Sequence, residues 1–301
     1  MKLKLNNIEN VLILGSGVLG LRIGLQSALS GFNTTIYDIS QKALVNAEAI
    51  QNKILAGLIK TGRITTSDKA LAKKRISWTT DPEMAAENPD FISESVTEEL
   101  ELKKKVWHQF GQLCPPHTVF TTNTSFLLPS RFAEDTGRPG RFCAFHFHDV
   151  FKANVVDIMP HPGTETWVVA LLRELGYKLH QTPVMMKKES PGYVFNAMLM
   201  AVLGAAGALV THDIATIEDV DRSWMGNFKT ESGPFGIIDS IGLDTAWHII
   251  KDRKDAKSIR FAALLKSYID KDRLGLKSGE GFYTYPNPVF LREDFIERNT
   301  F

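Results

Sequence analysis

Apolar residues recur in two different ways along the chain, and the change falls near residue 188. Before it, short apolar runs of strand length alternate with segments in which apolar residues recur every three or four positions. The runs predict strands at residues 11–14, 34–37, 75–79, 91–96, 118–123, 141–147, 153–159 and 177–185. Strands alternating with helices are typical of an α/β fold, here a Rossmann-like, doubly wound and mostly parallel sheet. One of the connecting helices is predicted to run from Pro129 and to end by Gly137.

Only helical spacing continues after a polar segment that contains the pair Pro191-Gly192. We therefore expect one domain at 1–188 and a smaller, all-helical C-terminal domain at 189–301. Its helices are predicted at 193–210, 217–225, 236–251 and 258–271. The first of them is rich in Ala and Gly and carries one clearly polar side chain, Asn196. We expect it to be buried all round, in a core or a subunit interface, and not to span a membrane.

The first predicted strand leads into a glycine-rich turn, and the turn leads into a helix. In such a turn Gly15 permits the sharp bend, Gly17 lets the backbone approach a pyrophosphate, and Gly20 allows close packing of helix and strand. The N–H groups at the start of the helix then face the phosphates. The second strand ends at Asp38, where a carboxylate accepts hydrogen bonds from an adenosine ribose and repels a 2′-phosphate. The stretch therefore predicts NAD rather than NADP as the cofactor.

Composition and charge narrow the classes of partner. The formal net charge is +1 and the pI is near 7.8, so the chain has no general field that attracts nucleic acid or acidic membranes. Cys114 and Cys143 show no ligand spacing and fit reduced thiols. The N-terminus has neither a signal-peptide core nor a transit-peptide composition, so we expect a cytoplasmic protein. The basic residues within 60–74 favour a solvated face, with a landing place for ligand phosphates as the alternative.

Candidate chemistry collects just beyond the ends of the predicted strands, where doubly wound sheets bind their ligands. An NAD enzyme that oxidises an alcohol needs a base for the hydroxyl proton, and His146 follows such a strand. A carboxylate behind the ring fixes its tautomer and steadies the imidazolium, and Asp157 lies in the following strand. Ser125 and Glu98 also fall just after strand ends.

Several segments together resemble one enzyme family along nearly the whole chain. They are LGSGVLG with Asp38, SVTEELELKK, TTNTSFL, the segment around AFHF, SPGYVFN, SGPFGIIDSIGLD and GLKSGEGFYTY. In this respect the chain resembles the L-3-hydroxyacyl-CoA dehydrogenases of fatty acid metabolism, in particular the short-chain, 3-hydroxybutyryl-CoA type. The resemblance implies reversible oxidation of an (S)-3-hydroxyacyl-CoA to the 3-oxoacyl-CoA with NAD. It also implies a homodimer formed by the helical domain, with acyl-CoA bound between the two domains.

The resemblance assigns roles to individual residues. His146 matches the general base, and Ser125 and Asn196 match residues that hydrogen-bond the substrate's oxygens. Glu98 and Lys103 match an acid and a lysine near the nicotinamide end of the cofactor, with an ordinary surface pair as the alternative. The residues expected to bind the cofactor are Gly15, Gly17, Val18, Leu19, Gly20, Asp38, Glu98, Lys103 and Asn123.

The sequence departs from the family at the histidine itself. The family has His-Phe-Phe-Asn-Pro and a glutamate in the next strand, whereas this chain has HFHDV from His146 and then Asp157, with one residue fewer between. Aspartate is one methylene shorter, so reaching the imidazole requires a closer backbone. Asp149 is the rival carboxylate, and both assignments stay open at this point.

Three alternatives accompany this interpretation. A transition metal at His146 and His148 with Asp149, Asp157 and His161 nearby is one, although nicotinamide chemistry with a histidine base needs no metal and we expect none. The second is a dehydrogenase of the same superfamily that acts on a non-CoA substrate such as L-gulonate or carnitine. The third is a crystallin-like protein that binds NAD without catalysis.

Overall fold

The computed structural model describes residues 2–296, and its contacts divide the chain into two units, 1–194 and 195–301. Met1 and residues 297–301, at the outer ends of the two predicted domains, lie outside the described residues. The predicted boundary after residue 188 lies six residues before the division between the units. No helix among residues 2–296 is long and apolar enough to cross a membrane.

The first unit is built on one sheet, which contains eight strands among the described residues. The strands are β1 Asn10–Leu14, β2 Asn33–Tyr37, β3 Ile76–Thr79, β4 Phe91–Glu94, β5 Val119–Thr122, β6 Phe142–Phe147, β7 Val155–Met159 and β8 Thr182–Met185. Their order is β3-β2-β1-β4-β5-β6-β7-β8, and every neighbouring pair is parallel except β6 and β7. The predicted doubly wound and mostly parallel sheet is therefore confirmed.

Six α-helices of the first unit connect these strands in the described chain. They are α1 Gly20–Leu29, α2 Gln41–Lys60, α3 Thr66–Arg75, α4 Pro82–Ala85, α5 Leu100–Leu113 and α6 Thr166–Lys178. Strands β4, β5 and β6 are buried at every position because helices cover both faces of the sheet. In sheets of this kind ligands bind at the carboxyl ends of the central strands, so we look for the functional site there.

The connection between β5 and β6 differs from the prediction. The helix expected from Pro129 to Gly137 is wrong: Pro129–Arg131 and Glu134–Thr136 form separate 3-10 turns. The side chain of Thr136 donates to the carbonyl of Ala133, a local bond that competes with a continuous helix. The predicted strand at 177–185 is also too long, since α6 continues to Lys178.

The second unit contains only helices and short turns in its described part. Its helices are α7 Phe195–Thr211, α8 Ile217–Phe228, α9 Pro234–Ile241, α10 Leu243–Ile250 and α11 Ala256–Ile269. The single helix predicted at 236–251 is wrong, because Gly242 breaks it with φ of 100°. A positive φ of this kind suits glycine and ends a helix.

Within the chain, helix α7 is buried on one side only, so the predicted burial all round depends on a subunit interface. Its buried residues within the chain are Leu203, Ala206 and Gly207, while Met198 is 58% exposed. The helix packs one face against α11, where a Cβ on Gly207 would clash with the ring of Phe261. The expected subunit interface on the exposed side stays a prediction.

Two fully buried carboxylates fix the turns of the second unit. Asp221 accepts the N–H groups of Phe235 and Gly236 at the start of α9 and the hydroxyl of Tyr283. Asp239 accepts the N–H groups of Phe282 and Tyr283 and the hydroxyl of Tyr285. A Cβ on Gly281 would lie 2.2 Å from the Asp239 carboxylate, which explains a glycine in the segment GEGFYTY. Burial raises the pKa of both carboxyl groups.

Candidate functional site

The glycine-rich turn between β1 and α1 is held by close backbone contacts. A Cβ on Gly15, which has φ of 96°, would lie 2.8 Å from the carbonyl oxygen of Ser95. A Cβ on Gly20 would lie 1.9 Å from the carbonyl oxygen of Gly15. Gly17, in contrast, has nothing within 4 Å of the corresponding position, so the backbone there is open to a ligand. Among the described residues no side chain caps the start of α1, whose N–H groups suit an anion.

Asp38 stands directly after β2 and faces this turn. Its Oδ2 accepts the backbone N–H of Ser16 at 2.9 Å and the Ser16 hydroxyl at 2.8 Å, and its Oδ1 accepts the N–H of Ser40. The carboxylate is therefore fixed beside the glycine turn.

A cavity of about 270 Å³ opens at the same place. It is lined by the glycine turn, Asp38 and apolar side chains that include Ile39 and Val106. An open backbone for a pyrophosphate, a carboxylate for a ribose and apolar walls for a base fit a dinucleotide. Of the other predicted contacts in the turn, Val18 is 70% exposed and Leu19 is half-buried.

A second group of residues meets at the carboxyl ends of β4, β5 and β6. Ser125 Oγ lies 3.3 Å from His146 Nε2, and Glu98 Oε1 accepts the backbone N–H of Ser125 at 3.0 Å. The structure thus brings together three residues that the sequence placed after separate strands. Asn123 accepts the N–H of Phe147 at 2.6 Å through its side-chain oxygen and joins the ends of β5 and β6.

Glu98 organises the loop that follows β5. Its Oε1 accepts the hydroxyl of Thr124 at 2.5 Å and the successive backbone N–H groups of Ser125, Phe126 and Leu127. Burial raises the pKa of Glu98, but Lys103 and these donors outweigh it, so the pKa lies below its usual value. An ionised Glu98 therefore holds Ser125 in place next to His146.

Lys103 is a buried cation, and the alternative of an ordinary surface pair with Glu98 is wrong. The lysine side chain is 1% exposed, with its Nζ 2.6 Å from Glu94 and 3.4 Å from Glu98. Glu94, which the sequence analysis missed, ends β4 and also accepts the hydroxyl of Thr122 at 2.6 Å. Lys103 lies in the first turn of the charged helix α5, and the helical pattern gives no sign that Glu94, nine residues earlier, and Glu98 hold it in a buried position.

The carboxylate beside His146 is Asp157. The two residues are directly paired across the antiparallel strands β6 and β7, which brings Asp157 Oδ2 to 3.4 Å from His146 Nδ1. Cross-strand partners approach closely enough for an aspartate to suffice. Asp149 instead accepts the N–H of Phe151 in its own turn. His148 lies 2.8 Å from the same Asp157 oxygen through its Nε2.

Burial controls the protonation of His146. It lowers the pKa of the imidazole, and the hydrogen bond with Asp157 raises it but does not outweigh burial. For Asp157, burial raises the pKa, while the hydrogen bonds from His146 and His148 lower it below its usual value. The pair is therefore a neutral imidazole beside an ionised carboxylate. Because an ionised carboxylate only accepts, Nδ1 carries the hydrogen and Nε2 presents a lone pair toward Ser125.

Tyr193 is a further site residue that the sequence analysis missed. Its ring stacks on His146 with centroids 4.4 Å apart and planes 11° from parallel, and its hydroxyl donates to the carbonyl of Thr124 at 2.6 Å. Tyr193 has φ of 54°, which is uncommon outside glycine and is frequent at functional sites. The signal available in the sequence was an aromatic residue directly after Pro191-Gly192.

Two predicted residues lie apart from this description. Asn196 is half-buried on α7 and belongs to the second unit, and its role stays a prediction. His161 does not join the other histidines: its Nε2 lies 2.9 Å from the carbonyl of Pro139 and its Nδ1 accepts the N–H of Gly163. The expected absence of a metal also stays a prediction.

The chain matches both models of one family. The NAD-binding domain of 3-hydroxyacyl-CoA dehydrogenase matches residues 10–190, and the C-terminal domain of the same family matches residues 192–285. A probable 3-hydroxybutyryl-CoA dehydrogenase from Deinococcus radiodurans is 30% identical over 277 residues, which cover 91% of this chain and 99% of that protein.

Solved structures show the same likeness. A structure described as a diketoreductase with dual catalysis of dicarbonyl compounds is 38% identical with a TM-score of 0.86, covering 92% of this chain and 99% of that one. The (S)-3-hydroxybutyryl-CoA dehydrogenase of Ralstonia eutropha is 29% identical with a TM-score of 0.83, covering 93% and 100%. Together with the glycine turn, Asp38 and the fold, these matches show that the chain belongs to the 3-hydroxyacyl-CoA dehydrogenase family and is an NAD-dependent oxidoreductase.

Proposed function

We propose that the chain interconverts a short-chain (S)-3-hydroxyacyl-CoA and the 3-oxoacyl-CoA, with His146 as the general base. The observation that carries the proposal is the line of contacts from Ser125 Oγ to His146 Nε2 and from His146 Nδ1 to Asp157 Oδ2. This arrangement offers a proton acceptor, a hydroxyl beside it and an orienting acid behind it. A dehydrogenase needs these groups to remove a hydroxyl proton.

The contacts of each residue indicate its role in the proposed reaction. His146 Nε2 takes the substrate's hydroxyl proton, and the Ser125 hydroxyl donates to the substrate's oxygen. Asp157 keeps the ring in the Nδ1–H form and stabilises the imidazolium that results. NAD, when bound, accepts the hydride. The glycine turn and Asp38 would hold its pyrophosphate and ribose, while Glu98 fixes the Ser125 loop.

A second candidate is the interconversion of a dicarbonyl compound that carries no CoA. The observation that favours it is the 38% identity to the diketoreductase, over 99% of that chain. Both candidates use the same base and the same hydride transfer. They differ in whether the substrate carries a large anionic group.

One assay separates the two. NADH oxidation is followed with acetoacetyl-CoA and with ethyl acetoacetate at matched concentrations. We expect kcat/KM for the CoA ester to exceed that for the small ester by about 10²-fold, since remote binding energy of a large substrate raises catalysis at the reacting carbon. A higher kcat/KM for ethyl acetoacetate favours the second candidate. NADH binding without turnover of either compound indicates a non-catalytic protein.

Two further features belong to this proposal. A homodimer would cover the exposed apolar positions of α7, such as Met198 and Leu209, and light scattering of the full chain measures its mass. A cytoplasmic location agrees with Cys114 and Cys143, which are both free and buried.

A further inference from the structure

One carboxylate oxygen serves two histidines. Asp157 Oδ2 lies 2.8 Å from His148 Nε2 and 3.4 Å from His146 Nδ1. The shorter contact goes to the histidine that has no part in the proposed proton transfer. Asp157 itself is 1% exposed, so this oxygen has no access to bulk water that would weaken either contact.

The backbone explains the shared oxygen. His146 lies in β6 directly opposite Asp157, and His148 follows two positions later, where side chains point to the same face. The N–H of His148 still bonds the carbonyl of Val155, so the strand pairing extends to this residue. The two imidazole rings meet edge to face with centroids 4.9 Å apart. The side chain of His148 is 11% exposed and that of His146 is 4% exposed.

Sharing the oxygen has a defined electrostatic effect. A carboxylate that receives a hydrogen bond from His148 has less negative charge to offer the Nδ1–H of His146. The imidazolium form of His146 is the form that needs this charge most. The shorter contact therefore reduces the help that Asp157 gives to a protonated His146.

We propose that His148 is a positioning residue that sets the basicity of His146 by holding the oxygen of Asp157 that both rings share. It draws the carboxylate toward the strand end and leaves His146 the weaker contact. Its meaning for catalysis rests on the proposed function, but the effect on His146 does not require turnover.

Other groups around His146 act on it as well. Those that face it or act on its charge in the described part of the first unit are Asp157 on β7, His148 after β6, Ser125 after β5, Glu98 after β4 and Tyr193. Glu98 and Asp157 favour the charged imidazole, whereas burial and His148 oppose it. Of these groups, His148 is the one that changes the strength of another contact by competing for the same atom.

Two substitutions separate the hydrogen bond from the ring. His148→Phe keeps an edge-to-face aromatic ring and removes the donor, while His148→Gln keeps an N–H donor near the position of Nε2 and removes the ring. The ionisation of His146 is followed by NMR of ¹⁵N-labelled histidine in the full chain, with His146→Gln to assign its signals. The acid limb of the pH profile of kcat/KM is measured in parallel, with 3-hydroxybutyryl-CoA oxidation as the assay. Thermal melting checks that each variant is folded.

We expect His148→Phe to raise the pKa of His146 by about 0.5 to 1 unit, and His148→Gln to leave it within about 0.3 unit of the native value. An unchanged pKa in His148→Phe, or equal shifts in both variants, overturns the proposal. A native titration that changes on treatment with a chelator also overturns it, since a metal ion would then join the three side chains. If NMR shows the expected shifts but no substrate turns over, the proposed function fails and the role of His148 stands.

Discussion

The two units each bury carboxylates in their centre, but the partners of those carboxylates differ. Asp157 of the first unit is held by two imidazoles, which are themselves titratable. Asp221 and Asp239 of the second unit are held by backbone N–H groups and tyrosine hydroxyls, which do not titrate near neutral pH. The pKa is lowered for Asp157 and raised for the other two.

The partners of a buried carboxylate therefore distinguish a functional role from a structural one. A buried acid bonded to imidazoles stays ionised and controls a proton that a neighbouring ring can exchange. A buried acid bonded to backbone groups ties a turn or a helix end and has no group to which it can pass a proton. The depth of burial is similar in both units, so burial alone does not identify a functional acid.

The largest effect should come from removing the proposed base. His146→Ala takes away the proton acceptor, and we expect kcat to fall by about 10²-fold or more while NADH still binds. Stopped-flow kinetics and NADH fluorescence titration measure the two quantities. Asp239→Asn is the matched control, since it changes a buried acid of the second unit and should leave kcat nearly unchanged. An undiminished kcat in His146→Ala would contradict a functional role for the buried acid and imidazoles of the first unit.

The next effect concerns stability. Asp239→Ala leaves the N–H groups of Phe282 and Tyr283 and the hydroxyl of Tyr285 without their acceptor, so we expect a loss of about 3 kcal/mol or more in the free energy of unfolding. Urea unfolding followed by tryptophan fluorescence measures it. The control is Asp270→Asn, which removes an exposed ion pair with Lys266 and should cost less than about 0.5 kcal/mol. A small loss in Asp239→Ala would contradict an architectural role.

A smaller effect is the position of the acid limb in the native enzyme. Burial holds the pKa of His146 below its ordinary value of 6.5, so the imidazole is unprotonated at neutral pH. We expect kcat/KM for oxidation of the hydroxy substrate to fall only below about pH 6.5. A profile from about pH 5 to about pH 9 locates this limb. A limb above neutrality would mean that Asp157 outweighs burial.

The smallest effect is a difference in how the stability losses of two variants depend on pH: one should shrink and the other should grow as pH rises. The pKa of Asp239 is raised above 3.8 on folding, so its contribution is full below that value and is lost as pH rises through the folded pKa. The pKa of Asp157 is lowered, so its contribution is present above 3.8 and is lost as pH falls. The stability deficit of Asp239→Asn should therefore shrink as pH rises, whereas that of Asp157→Asn should grow. Urea unfolding at several pH values compares them, and slopes of the same sign would contradict the assignment.

The sequence predicted the strand, turn and helix around Gly15 and Gly20 because two of the demands there are local: the positive φ of Gly15 at the turn and the close approach of Gly20 to the carbonyl of Gly15. It also predicted that Ser125 and His146 lie at neighbouring strand ends, since parallel strands bring these ends together. The choice between Asp149 and Asp157 required the antiparallel direction and the register of β6 and β7, which the apolar pattern of the two strands does not give.

Other parts of the site had no local signal. Glu94 and Lys103 form a buried ion pair whose members look like ordinary charged residues in the sequence. Tyr193 stacks on His146 from a position where the chain turns sharply, and such packing has no periodicity to detect. The break at Gly242 was missed because apolar residues keep their helical spacing on both sides of it.

The reversal of chain direction between β6 and β7 has one more consequence. The proposed base, His146, and its partner Asp157 are a directly paired position of one hairpin, so a change in the length of the segment beyond the last paired residues, 149–154, does not by itself shift their register. A single residue inserted within either strand would instead turn one of the two side chains to the opposite face of the sheet. The length of this connecting segment and the spacing of the paired side chains are therefore separate properties of the hairpin.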